Sequence, residues 1–338
     1  MKTQNNLKIS FLILITILCL IYILHPGVDQ LRFHPHDLQF HYFKASGAFF
    51  VPGEFIDQAR LDSYAPLTSW IYAPFSFNLK TFYLFTLILF FLVMGLLLVY
   101  LSKHWITALF WVACSAPYFF LEGVLAQGIA TFLLIAFVYS GLKLRLLLLC
   151  LGLLTHSWGF WLLLAYWVVE IVVKTDWRGV ALGVCGGTLF PAPLNPKVQP
   201  TNISGIDSIS NLNLLGFNGL NRITWVSVFR WIVMFPLLPF AFIGLWKKNK
   251  VWFWFSLVLF VGGFVLLYWR IVESVMPFIV LGLTYYYQAS SKKMKILLII
   301  VTLGLTLIQI THYWNTIQNI HLSITQSILG LPCWTGLI

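Results

Sequence analysis

Charge is what this chain has least of. Charged residues make up 9% of it, and only ten of its 338 positions are acidic. Ordinary soluble domains carry about 25% charged residues. With 60% hydrophobic residues and a mean hydropathy of +0.87, the deficit excludes a soluble globular domain and leaves an integral membrane protein. The apolar runs are long rather than alternating, which argues against a β-barrel and for an all-α, polytopic chain. Cysteine offers no framework either. Cys19, Cys114, Cys150 and Cys185 fall in apolar runs and Cys333 near the end, with no CxxC among them, so neither a disulfide scaffold nor a zinc site is indicated. No internal repeat and no low-complexity stretch is present.

What charge there is has a pattern. The net charge of +11 is not a nucleic-acid signature, because the basic residues sit in short connections between apolar runs, where the positive-inside rule accounts for them. Each span needs about 20 apolar residues, fewer where it is short or buried in protein. The expected spans are 8–24, 81–101, 105–120, 123–141, 144–156, 158–173, 178–190, 224–246, 251–268, 270–288 and 295–313, about 11 in all. The first has a basic flank but lacks a small-residue cleavage site, so it is read as a retained span. Lys2, Lys8, Lys103, Lys143, Arg145, Lys174, Arg178, Lys247, Lys248, Lys250, Lys292, Lys293 and Lys295 then share the cytoplasmic side, with the amino terminus inside and the carboxyl terminus outside. The run 144–173 is basic at both flanks, which one straight helix could not reconcile; a hairpin of two short helices turning at Thr155–Gly159 does.

The exception to the hydrocarbon is the first external loop, 25–80. It contains the sequence HPHDLQFHYFKASGAFFVPGEFIDQARLDSYAPLTSWIYAP from His34 to Pro74. Five of the ten acidic residues and four of the eight histidines lie between the first two spans. Its aromatic residues make it amphipathic, which fits two interfacial helices, about 37–46 and 54–62. A second external loop, 191–223, carries the sequon Asn202-Ile203-Ser204, a weak motif.

Asp37 is the leading chemical candidate. A carboxylate at the membrane edge can act as a general base or hold a divalent cation, and it can equally cap the helix it begins. Glu122, in a short external turn, is the second acidic group on that side and is a functional candidate by its closeness to hydrocarbon. His36, His41 and His156 could relay a proton or ligate a metal, although a lone histidine is more often a hydrogen-bonded structural residue. Arg270, at the external start of the tenth span, suits a lipid-linked phosphate; a pair with Glu273 one turn on is the plainer alternative. Arg222 and Arg230 are further phosphate-gripping candidates.

His36-Asp37, Tyr64-Ala65-Pro66-Leu67, Ala73-Pro74, Glu122 and Trp269-Arg270 with Pro277 follow an order in which the chain resembles the GT-C superfamily of polytopic glycosyltransferases. That group includes protein O-mannosyltransferases, aminoarabinose transferases and the catalytic subunit of oligosaccharyltransferase. The resemblance covers 1–190 as a catalytic module and 224–290 more loosely, leaving 191–223 as an external loop, 224–313 as carboxyl-terminal transmembrane helices and 314–338 as an external tail. It departs from the family in having no second acidic residue close to Asp37, and Tyr-Ala-Pro where the family has Tyr-Pro-Pro.

The resemblance implies transfer of a sugar, with inversion, from a polyprenyl-phosphate donor to a glycan, lipid or protein acceptor. The reaction would take place on the extracytoplasmic face of the plasma membrane, or of the endoplasmic reticulum if the source is eukaryotic. Asp37 would be the base, Glu122 with His36 and His41 the acceptor or metal site, and Arg270, Arg230 and Arg222 the donor-phosphate site. Tyr64 and Pro66 would frame it. A divalent cation, Mg2+ or Mn2+, held by Asp37 and Glu122 is implied by some members and not by others. The partners are the donor, the acceptor and the bilayer, with no nucleic acid. The alternative classes are a transporter or flippase of a lipid-linked saccharide and a membrane subunit without chemistry of its own.

Overall fold

The computed structural model describes residues 2–25, 27–29, 38, 41–46, 66–123, 125–155, 157–175, 234–265 and 269–328, and everything regular among them is helical. Three of these helices are long and apolar enough to cross a membrane, Gln4–Leu24, Leu79–Ser102 and Lys292–Trp314; Leu125–Val138 and Lys250–Gly263 are shorter apolar helices.

In chain order, α1 is Lys2–Leu24 and α2 is Pro66–Tyr72. The next apolar run is one continuous rod in three parts: α3 (Leu79–Leu87), a π-helical turn (Ile88–Val93) and α4 (Met94–Ser102). Asn78 starts it by accepting a hydrogen bond from the Thr81 backbone N–H at 2.8 Å, the ordinary N-cap arrangement. Lys103 ends it in the left-handed region at φ 57°, and Asn6 of α1 donates to the Lys103 carbonyl at 2.9 Å. The π turn displaces the local carbonyls from the usual ladder, and the Trp111 Nε1–H donates to the Phe90 carbonyl at 2.9 Å.

The expected span 105–120 is not one helix. It is α5 (Ile106–Ala113) and α6 (Ala116–Gly123), separated by an extended Cys114. Pro117 explains the break, since it has no N–H and its ring would collide with the Ala113 carbonyl if α5 continued. The Tyr118 hydroxyl satisfies the nearby Val112 carbonyl at 2.9 Å. Glu122, expected in a turn, therefore belongs to the last turn of α6.

The hairpin expected in 144–173 is present as α8 (Leu142–Thr155) and α9 (Ser157–Lys174), preceded by α7 (Leu125–Val138). A methyl added at Gly159 would meet the Gly152 carbonyl oxygen at 2.8 Å, so two glycines let the helices approach to backbone contact. Next come α10 (Leu238–Lys248), α11 (Lys250–Val265), α12 (Trp269–Ala289) and α13 (Lys292–Ile328). The last helix runs past 313, where the sequence reading placed the beginning of a tail. Expected span 178–190 and the interfacial helix 54–62 lie outside the described residues.

Burial sorts the helices. In α12 every residue from Val272 to Thr284 is buried, and in α5 every residue from Ile106 to Ala113. A helix enclosed on all sides is a core helix rather than a lipid-facing one, so α5 and α12 form the axis. By contrast α8 exposes Leu142, Leu144, Leu146, Leu147 and Leu153. The tightest contact on the axis is α10 against α12, where a methyl on Gly244 would meet the Gly282 carbonyl oxygen at 2.0 Å and one on Gly282 the Ala241 carbonyl oxygen at 2.3 Å.

The bundle has two chemically different ends. At one, Lys103, Lys247, Lys248 and Lys295 gather near the close of α4, α10 and α12. The Gln288 amide donates to the Ser102 carbonyl at 3.3 Å, Lys248 lies over the Tyr285 ring and Lys295 over that of Tyr287. The opposite end is built from histidine, tyrosine, serine and one glutamate.

Candidate functional site

At the end away from the lysine cluster, α1 is followed by His25, whose ring lies 4.9 Å from that of Tyr83 on the second turn of α3. The His25 Nδ1 accepts the Gly27 N–H at 3.2 Å. Tyr83 meets Tyr313 of α13 hydroxyl to hydroxyl at 2.6 Å, and the Tyr313 ring lies 6.0 Å from Tyr118 of α6. The helical stretch 41–46 packs here too: His41 is buried, and the Tyr42 ring meets Phe82 edge-on at 5.4 Å. This part of the first loop is folded onto the bundle rather than left in solvent.

Beside Tyr118, the break between α5 and α6 presents Ser115 to α12. The Ser115 hydroxyl donates to Glu273 Oε2 at 3.0 Å, and Glu273 is 1% exposed. Next to it, the Gln127 amide of α7 donates to the Ser274 hydroxyl at 2.6 Å. Glu273 stands 16 residues before the end of α12, about 24 Å along its axis at 1.5 Å per residue. A carboxylate in such an interior is costly unless hydrogen-bonded, and ionisable groups kept inside apolar bundles mark sites of function. Four elements, α5, α6, α7 and α12, converge to hold this pair of contacts.

A second ionic group lies between α8 and α9. Arg145 forks onto Glu170 through both terminal nitrogens, donates through Nε to the Phe137 carbonyl at 3.1 Å, and sits 5.0 Å over the Phe137 ring. Lys174 reaches the same carboxylate at 2.7 Å. All three Arg145 nitrogens are committed to the protein, so this is a structural clamp rather than a ligand site.

Of the residues singled out in the sequence, His41 is buried at the histidine end and Pro66 is the first residue of α2, partly exposed. Glu122 is on α6 and Arg270 on α12, with side chains outside the described set. Arg270 precedes Glu273 by three residues, about one helical turn. Asp37, His36, His156, Tyr64, Arg222 and Arg230 lie outside the described residues; Leu38, next to Asp37 in the chain, is fully buried. Among the described residues no three of His, Cys, Asp and Glu come together as a metal site. The carboxylates that would hold a cation, Asp37 and Glu122, are not among the described side chains.

Sequence reasoning gave Glu273 only the role of a partner for Arg270, and passed over Ser115, Gln127, Ser274, Tyr83 and Tyr313. Glu273, Gln127 and Gln309 are all buried within apolar helices. A glutamate and two glutamines in apolar runs are a visible signal, but the meeting of Ser115 with Glu273 and of Gln127 with the adjacent Ser274 is not. Comparison of the chain with protein-family models, curated proteins and solved structures finds no match.

Proposed function

We propose that this chain is a membrane glycosyltransferase that moves a sugar from a polyprenyl-phosphate donor to an acceptor on the extracytoplasmic face. The observation that carries the reading is the buried Ser115–Glu273 contact at 3.0 Å. It joins α6, which bears Glu122, to the start of α12, which bears Arg270, at the bundle end where residues 41–46 of the first loop are packed.

In this reading Asp37 takes the proton of the acceptor hydroxyl as it attacks the anomeric carbon in line, which inverts that centre. Arg270 receives the charge developing on the departing phosphate, where a preorganised guanidinium lowers the barrier most. Arg222 and Arg230 assist in gripping the phosphate. Glu122, His36 and His41 serve the acceptor side, and Tyr64 and Pro66 shape the loop. Where a divalent cation takes part, Asp37 and Glu122 hold it, and it would offset phosphate charge. Glu273 positions the start of α12 and so the arginine one turn before it.

A flippase of the same lipid-linked saccharide is the second reading, favoured by the buried polar pairs in the bundle interior, because transport pathways are lined that way. One experiment separates them. Membranes carrying the chain are incubated with labelled polyprenyl-phosphate sugars and compared with Asp37→Ala. A transfer product lost in the variant at equal protein level supports the transferase; product formation that survives Asp37→Ala removes that assignment. Translocated but unreacted donor supports the flippase.

A further inference from the structure

At the lysine end, a cleft of about 560 Å³ opens between the ends of α10 and α12 and the start of α13, lined by Lys247, Lys248, Tyr285, Gln288, Ser291 and Met294 among others. Lys247 and Lys248 line it, and Lys250, Lys292, Lys293 and Lys295 stand within two residues of its lining residues in the chain. Among the described residues none of them pairs with a carboxylate; the ion pairs there are Lys80–Asp29, Arg145–Glu170 and Lys174–Glu170. From residue 234 to the end of the chain the single acidic residue is Glu273, at the other end of α12.

Helix ends do not balance this charge. The carboxyl ends of α10 and α12 contribute about half a negative charge each, and the amino ends of α11 and α13 about half a positive charge each. That leaves a surplus of roughly six positive charges. Three of the lysines are held against rings, Lys248 5.5 Å over Tyr285, Lys250 5.3 Å over Trp246 and Lys295 5.6 Å over Tyr287, which orients them without neutralising them. One helical turn from Lys247 and from Met294 the surface turns apolar and exposed, with Ile243 on α10 and Ile296 and Leu297 on α13.

We infer that this cleft binds the phosphate head group of an acidic membrane lipid, with the acyl chains laid along Ile243, Ile296 and Leu297. A free phosphate shares the head-group chemistry, but it would leave the apolar wall unused. The wall and the surplus charge together select an anionic amphiphile. This site is separate from the proposed transferase site and stands whether or not that reading does.

The test titrates the full chain in a neutral detergent with short-chain phosphatidylglycerol, short-chain phosphatidylcholine and inorganic phosphate. Saturable binding of phosphatidylglycerol alone is expected. Lys247→Gln with Lys248→Gln weakens it about 30-fold, at roughly fivefold per lysine, while Lys8→Gln leaves it unchanged. Should that double variant fold poorly, the unmodified chain at rising salt replaces it, and binding must fall as the charges are screened. Equal binding of phosphatidylcholine, an unaffected double variant or salt-insensitive binding overturns the proposal. Inorganic phosphate binding as tightly as the lipid overturns its lipid assignment.

Discussion

The hydroxyls of Tyr83 and Tyr313 lie 2.6 Å apart although 230 positions separate them in the chain. That contact ties the start of α3 to the far part of α13 and closes the histidine end of the bundle. Both side chains are buried. Tyr83→Phe and Tyr313→Phe should each lower stability by about 0.5–1.5 kcal/mol, and the double variant by less than their sum. Thermal unfolding in detergent measures the cycle; strict additivity would mean the hydroxyls do not interact.

The α10–α12 crossing should tolerate nothing larger than glycine. At Gly244 and Gly282 an added methyl meets backbone oxygens at 2.0 and 2.3 Å, and backbone cannot rotate aside. Gly244→Ala and Gly282→Ala should each cost about 3 kcal/mol or more, above the usual range for overpacking. Gly304→Ala, where an added methyl meets nothing within 4 Å, should stabilise by about 0.5–1 kcal/mol through helix propensity. Comparing melting temperatures of the three variants decides the point.

Glu170 has two cationic partners of unequal worth. The Arg145 side chain is 13% exposed and that of Lys174 66%. Removing the buried partner leaves the buried carboxylate only the exposed lysine, so Arg145→Ala should cost about 3 kcal/mol. Lys174→Ala should cost under about 1 kcal/mol. Equal losses by chemical denaturation would contradict the clamp.

Lys103 pays for the sharp end of α4 with a left-handed backbone, φ 57°, which costs a residue with a Cβ about 1–2 kcal/mol. Lys103→Gly removes that strain and should raise stability by about 0.5–1 kcal/mol. A lower melting temperature would show that its side chain contributes more than the backbone loses.

If the transferase reading holds, Arg270→Ala should lower transfer about 10²–10³-fold, the usual loss for one preorganised group at a developing charge. Arg270→Lys should recover only part, since an ammonium cannot grip phosphate with a fork. Glu273→Gln keeps the shape and should lower transfer about tenfold, through the position of Arg270, with little change in folded yield. Full transfer by Arg270→Ala would remove the donor-phosphate role.

The helical hairpin of α8 and α9 was legible because Lys143 and Arg145 at one flank and Lys174 at the other belong on one side of the membrane, which one straight helix could not arrange, and Thr155–Gly159 supplies serine and glycine for a turn. The division between α5 and α6 was missed because α5 and α6 together are as apolar as a single span. Pro117 alone carried the signal, and proline is tolerated within membrane helices. Glu122 was accordingly assigned to a turn when it belongs to a helix.

Composition and the length of its unbroken apolar runs determined that this chain is helical and suited to a membrane, because 9% charged residues leave little to solvate and a helix satisfies its backbone within one segment. Patterning located the lysine connections and the polar first loop. Only the tertiary structure decided that Ser115 meets Glu273 and Gln127 meets Ser274, that Tyr83 finds Tyr313, and that the lysine-bearing ends of α10, α12 and α13 enclose one cleft. The physical reason is that helix axes are set by where glycines allow backbones to touch and where a proline breaks a rod. Both depend on the partner surface, which no local pattern records.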